Sequence, residues 1–344
     1  MTLSDALRDQ AGSCDALGSP FTARLLTLAA DRLRPGTTVT DRLLAWRGEL
    51  GSRGQSVPLR LAGSLHGLVI DGSAPDLAAC YPPNQTDDES LWTAVEAAFI
   101  DHETRLMYWL NRPPQTNELG RSAVLIAAGH WLTAEYGLPI VLSELGASAG
   151  LNLFWDRYAL EIPGATYGPE SPVLTLKPDW QGSLPPKAEP KVTARRGTDL
   201  TPLDPTNPSH QLRLTAYIWP DQPDRLARTR AALEIAEPVV DAADAADWLE
   251  TRLAEPHPGQ LHLLYHTIAW QYFPEPVKDR ARALIEAAGE RATAHAPLAW
   301  LAMEADDDSP GAGLSLRLWP GDRRIALGRV DFHGRWLRWD LPQT

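Results

Sequence analysis

Leu138-Pro-Ile-Val-Leu-Ser-Glu144-Leu-Gly146-Ala-Ser148-Ala-Gly150-Leu-Asn152 is the stretch on which the reading of this chain turns. Its first six residues are apolar and partly β-branched, the pattern of a strand buried on both faces of a parallel sheet. The small residues 146–150 make a turn, and 151–158 begins a helix. Upstream, 118–136 reads as a strong helix, with Thr116 or Asn117 as N-cap and Gly137 as C-cap.

Downstream the alternation continues. Residues 191–199 read as strand and turn, 209–237 as mostly helix, 238–240 as a short strand and 242–254 as helix. Then come a strand at 261–268, a helix at 278–295 and a strand at 298–304. Residues 314–319, 325–332 and 336–339 predict an antiparallel ending, and the Pro- and Gly-rich 166–190 reads as an irregular loop. Strands alternating with helices place helices on both faces of a mostly parallel sheet. The first third is helical instead. Apolar residues recur at helical spacing in 21–33 and 91–110, and 60–71 leans the same way. Pro113-Pro114 closes that region, because proline removes backbone donors.

Composition narrows the function. At 344 residues the chain has room for two domains. With 32 basic against 44 acidic residues the net charge is −12, which argues against long nucleic acid as a partner. Cys14 and Cys80 are too few for a disulfide framework or a four-cysteine zinc site. The start, MTLSDALRDQ, has no basic and apolar leader pattern, and no apolar run nears the ~18–20 residues of a membrane span. These features predict a cytoplasmic protein that acts on small molecules rather than on a membrane.

Three chemistries compete for the turn. A dinucleotide site wants a second glycine where Ser148 stands. A serine hydrolase is favoured by Gly146-Ala-Ser148-Ala-Gly150, a G-x-S-x-G string, followed in chain order by Asp241 and His266 or by Asp331 and His333. Only one confident strand precedes the turn, however, and no HGGG-type oxyanion segment lies upstream. The third chemistry is S-adenosylmethionine binding. Glu144-x-Gly146-x-x-x-Gly150 resembles the first motif of Rossmann-like methyltransferases, where a strand-end carboxylate helps hold the ligand's ammonium and glycines let the backbone approach. Asn152 follows at the start of the next helix. Asp199 stands where such enzymes carry the carboxylate that accepts both ribose hydroxyls, and Asp241 where one meets the adenine amino group. The 314–339 ending resembles the antiparallel last hairpin of that fold. A surface turn or a helix cap accounts for either Asp equally simply.

Several strings carry a wider resemblance: Gln115-Thr-Asn-Glu-Leu-Gly-Arg121, 144–153, Asp156-Arg-Tyr158, Tyr217-Ile-Trp-Pro-Asp-Gln222 and 265–272. Together they resemble the bacterial domain-of-unknown-function family 2332, from Gln10 almost to the C-terminus. That resemblance implies a Rossmann-like fold and no established reaction. The expected architecture is a helical extension over 1–112 and a Rossmann-like methyltransferase-type domain over 113–344.

The acceptor side is expected from two places. Gln115, Asn117, Glu118 and Arg121 crowd the start of the helix that leads into the Glu144 strand, where Arg121 would orient an anionic substrate or Asn117 simply cap. His266 ends a strand on the ligand-binding edge and would serve as a base. A shared cleft for His266 and the helix start is therefore predicted. His262 and His266 share a strand face at period two, but no third metal ligand accompanies them. Trp219, Trp270, Tyr272 and Phe273 are candidate pocket walls. The runner-up functions are the serine hydrolase and a non-catalytic binder of a nucleotide-like ligand.

Overall fold

The structure is a computed structural model that describes residues 1–52 and 54–340. The chain forms two compact units, Met1–Thr116 with Pro208–Arg230, and Asn117–Asn207 with Ala231–Thr344.

The first unit is helical around one apolar core. Pro20–Arg32 and Val57–Ile70 form as their periodicity predicts. The 91–110 pattern instead divides at His102 into Asp88–Asp101 and Glu103–Leu110. Segment 208–230, which the sequence reading kept with the C-terminal domain, packs in this unit. The physical reason is close packing on Val57–Ile70. A Cβ on Gly63 would lie 2.4 Å from the Tyr217 ring. Trp219 belongs to the same core.

The second unit is α/β. In chain order its strands are β1 (Ile140–Leu145), β2 (Ala159–Ile162), β3 (Ala165–Tyr167), β4 (Thr175–Leu176), β5 (Asp179–Gly182) and β6 (Val192–Asp199). They continue with β7 (Val240–Ala242), β8 (Leu261–Thr267), β9 (Leu298–Glu304), β10 (Ala312–Trp319), β11 (Arg323–Val330) and β12 (Trp336–Trp339). The main sheet runs β5-β12-β11-β10-β9-β8-β1-β6-β7, and β3-β2-β4 form a small second sheet. β7, β6, β1, β8 and β9 are mutually parallel, whereas β10, β11 and β12 continue from β9 as an antiparallel meander. The 166–190 stretch is therefore more regular than a loop, since β4 pairs with β2 and β5 with β12.

β1 is buried at every residue, as a central strand must be. Ser122–Tyr136 leads into it, preceded by the 3-10 turn Leu119–Arg121 and closed by Gly137 in the left-handed conformation. The helices Ala245–Arg252 and Glu275–Arg291 share a second apolar cluster with Leu145 and Leu264. Alternation along a strand assigns each side chain to a face. The register pairs Glu144 with Tyr265, so these two share one face while Leu264 and His266 share the other.

Candidate functional site

After β1 the chain adds β6 and β7 on one side, then crosses to place β8 and β9 on the other. The strand order thus reverses between β1 and β8. In open α/β sheets the crevice outside the carboxyl ends of such a strand pair is where ligands bind.

The turn from Gly146 to Gly150 lies at that edge, with left-handed backbone at Gly146 (φ 68°), Ser148 (φ 55°) and Gly150 (φ 75°). A Cβ on Gly146 would stand 2.5 Å from the Ala269 Cβ, and one on Gly150 would stand 2.8 Å from Val240 Cγ2. Both glycines are therefore required by backbone and packing together. Ser148 adopts the same conformation with a side chain. Its N–H donates to Asp199 Oδ2 at 2.9 Å, and its carbonyl accepts the Leu203 N–H at 3.2 Å. Asp199 Oδ1 takes the Thr201 N–H at 3.0 Å. Asp199 thus fastens the turn to the end of β6. The Ser148 hydroxyl oxygen is buried with no hydrogen-bond partner.

Glu144 lies beside Tyr265 and is 2% exposed. Tyr265 Oη is 3.4 Å from Glu144 Oε2 and 3.2 Å from the Asn152 carbonyl. Burial pushes the Glu144 carboxyl well above the usual carboxylate range, against the pull of Tyr265 and Arg121. Asn152 Oδ1 accepts from Ser122 Oγ at 2.7 Å, and its Nδ2 donates to the Glu118 carbonyl at 3.3 Å.

The helix start is tied into the same region. Asn117 Oδ1 accepts the Leu151 N–H at 2.8 Å, so it caps the segment after the glycine turn rather than the helix it precedes. Glu118 makes the local cap through Gly120 N at 3.0 Å. Arg121 donates from Nε to the Phe332 carbonyl at 3.0 Å and from Nη1 to the Thr267 carbonyl at 2.9 Å. Six polar residues, Asn117, Glu118, Arg121, Ser122, Glu144 and Asn152, converge behind the turn.

A family model described as "Uncharacterized protein conserved in bacteria (DUF2332)" matches residues 4–339. The chain belongs to this family. No curated protein and no solved structure matches it.

Two further candidates of this DUF2332 protein, His266 and Asp241, are engaged by protein partners. His266 does not share a cleft with Asn117 and Arg121, because it points to the sheet face opposite Glu144 and Tyr265. Its Nδ1 is 2.6 Å from Glu304 Oε1, and the Trp300 indole N–H donates to its Nε2 at 3.0 Å. An indole only donates, so the imidazole proton resides on Nδ1 and both ring nitrogens are engaged. Trp270 stacks on the ring at 4.9 Å. Asp241 accepts from Arg196 Nε and from the Trp248 indole, each at 2.9 Å, and Arg196 holds its carboxyl below the usual range. Gln115 falls in the first unit.

For the hydrolase arrangement, no imidazole bonds the Ser148 hydroxyl. Asp331 is turned instead to Arg335 Nη2 at 2.8 Å and the His333 N–H at 3.0 Å. His262 Nε2 meets Ser143 Oγ at 2.7 Å, and Ser143 also takes the Arg252 Nε–H at 2.8 Å. Among the described residues no group of three His, Cys, Asp or Glu is placed to hold a metal ion.

Sequence reasoning missed Tyr265 and Glu304. Period two from His266 would have found the first, since Tyr265 must face away from it. Glu304 Oε1 accepts the N–H groups of Ala269 and Trp270 at 3.0 and 3.1 Å as well as His266, and it steadies Ile268, a β-branched residue at φ 52°. Nothing in the local pattern signals that anchor.

Proposed function

We propose that this protein binds S-adenosylmethionine on the turn after β1 and transfers its methyl group to a small molecule or a protein side chain in the cytoplasm. The observation that carries this reading is the left-handed turn at the β1–β8 reversal, with Asp199 ending the adjacent strand. The residues suit the ligand. Gly146 and Gly150 let the turn keep its left-handed backbone close against Ala269 and Val240 at the strand ends. Asp199 spends one acceptor position of each oxygen on the chain and keeps a second for a vicinal diol. Glu144 and Asn152 are buried next to the turn, and the buried Ser148 hydroxyl is an unmet polar group of the kind a ligand satisfies. Asp241 and His266 are committed to protein partners and act at most through them.

The ligand supplies the activated methyl group. The chain's part is to bind it, orient the acceptor in line and exclude water, so no nucleophile motif is needed. Asn117 and Arg121 are assigned to the acceptor side, where they hold the strand-end carbonyls and the turn in one geometry.

Calorimetry and thermal unfolding with S-adenosylmethionine and S-adenosylhomocysteine test this reading, because a ligand that binds only the folded chain raises its melting temperature. Absence of any heat or shift at millimolar ligand overturns it. Binding without turnover on any acceptor would leave the non-catalytic ligand binder.

A further inference from the structure

Beside the amino ends of β8 and β9, at the sheet edge opposite the glycine turn, lies a cleft whose empty space, its mouth to solvent included, is about 330 Å³. Leu253, Ala288, Ala292 and Leu298 give it apolar walls, and His257, His262 and Arg291 line it with nitrogen. The two imidazoles meet edge to face, with centroids 4.7 Å apart. Ser143 decides the tautomer of one of them. It is fully buried and its Oγ accepts the Arg252 Nε–H at 2.8 Å, so its own hydrogen goes to His262 Nε2 at 2.7 Å. The His262 ring proton therefore sits on Nδ1. Nε2 carries the hydrogen bond that His262 makes among the described residues, which leaves the Nδ1–H without an acceptor. His257 Nε2 is likewise buried with no hydrogen-bond partner.

Positive charge gathers here on neutral partners. Arg252 donates to Ser143 Oγ and to the Leu142 carbonyl, at 2.8 and 3.2 Å. Arg291 donates to the Ala287 and Leu253 carbonyls, at 3.0 and 2.7 Å. All four acceptors are uncharged, and among the described residues neither guanidinium is in an ion pair. Burial first, then the neighbouring positive charge, holds both imidazoles below their usual pKa, so they offer neutral ring nitrogens. Glu255, the carboxylate among the lining residues, is exposed to solvent. Unmet donors beside unpaired cations suit an anion, since a charged acceptor makes the stronger hydrogen bonds. We propose that this cleft binds a small organic carboxylate, its oxygens accepting from His262 Nδ1 and His257 Nε2 and its short hydrocarbon body lying among Leu253, Ala288, Ala292 and Leu298. The apolar walls favour a carboxylate over inorganic phosphate, which has no apolar part to bury. The site is separate from the adenosyl reading, which concerns the opposite ends of the strands.

The test follows the histidine ring resonances of the full chain by NMR while sodium propionate is added, with ionic strength held constant by sodium chloride. Propionate is expected to move the His257 and His262 signals along one saturable curve. Propionamide, of the same shape without the charge, is expected to leave them in place, and phosphate to bind more weakly than propionate. His257→Leu removes one donor from a half-buried loop position and is expected to weaken propionate binding by about tenfold or more. No saturable movement with propionate would overturn the site. Equal movement with propionamide would overturn its preference for an anion, and tighter binding of phosphate would overturn the carboxylate assignment. These three comparisons use the wild-type chain, so they decide the matter even if the variant fails to fold.

Discussion

Asp199 holds the backbone of Ser148 from the neighbouring strand: its Oδ2 accepts the Ser148 N–H at 2.9 Å while its Oδ1 takes the Thr201 N–H at 3.0 Å. The bond locks a residue with a side chain into the left-handed region at φ 55°. That conformation costs a non-glycine residue about 1–2 kcal/mol. The same residue buries a hydroxyl with no partner, a second cost at one position.

Ser148→Gly is therefore expected to stabilise the protein, raising its melting temperature by about 2 °C. Glycine's greater freedom in the unfolded chain takes back about 0.5–1 kcal/mol of the gain. Affinity for the adenosyl ligand should fall in the same variant. A lowered melting temperature would show that the hydroxyl is satisfied in solution. The wild-type chain should also gain no adduct at Ser148 from a fluorophosphonate probe, read by intact mass, since no imidazole bonds this hydroxyl.

Gly146 answers to packing as well as to conformation. A Cβ there meets the Ala269 Cβ at 2.5 Å, with φ at 68°. Gly146→Ala should destabilise by about 2–4 kcal/mol, combining left-handed strain with an overpacked contact. Removing the opposing methyl as well, in Gly146→Ala with Ala269→Gly, should recover the packing part and leave the backbone part. Denaturant midpoints for the two singles and the double measure this coupling. Strict additivity would mean that the two residues do not touch in solution.

The strands of the main sheet other than β5, and most helices of the second unit, were legible because apolar period and turn residues agree locally there, whereas β2–β5 were not. β1, β8 and β9 are examples, each apolar and bounded by Pro, Gly or polar residues. The site was legible only in part. Glu144, Gly146, Gly150 and Asp199 follow one another along consecutive strand ends, and topology gathers them. His266 was misplaced by a single step of strand alternation, which sends neighbours to opposite faces. Asn117 has the side chain of a cap but caps another segment, 34 positions on, a partner no local pattern contains. Segment 208–230 falls in the first unit because Tyr217 packs on Gly63 of a helix distant in sequence.

Glu304 anchors the loop after β8 through one oxygen that takes the His266 ring N–H and the amides of Ala269 and Trp270. Burial raises its pKa, but the bond from His266 and the two amides outweigh that and bring it below the usual value. Glu304→Ala leaves three part-buried donors without an acceptor and should cost about 2–4 kcal/mol. Glu304→Gln keeps an acceptor oxygen for the amides and should cost clearly less. Trp270 and Trp300 both pack on His266, so their fluorescence should shift in the alanine variant and stay near wild type in the glutamine one. Equal losses of stability in the two variants would contradict the anchoring role.

Acid should destabilise both units through two buried histidines. His66, in the first unit, is pushed down to about 4 by burial, with its Nδ1 on the Ala216 carbonyl at 3.1 Å. His130, in the second, is also pushed down to about 4 by burial, and its Nδ1 accepts the Ala188 N–H at 3.3 Å. Both are neutral in the folded protein, whereas the unfolded imidazoles take up protons from pH 6.5 downward. The stability they confer is therefore complete above pH 6.5 and is lost as pH falls from there to about 4. Melting temperatures across that window should fall in the wild-type chain. The fall should be smaller in His66→Asn and in His130→Gln, and smaller still in the double variant. Glu144 works in the opposite sense, because a raised carboxyl pKa withdraws stability as pH rises. Its substitution therefore cannot imitate the acid-side effect. An undiminished acid loss in the double variant would place the proton uptake on other groups.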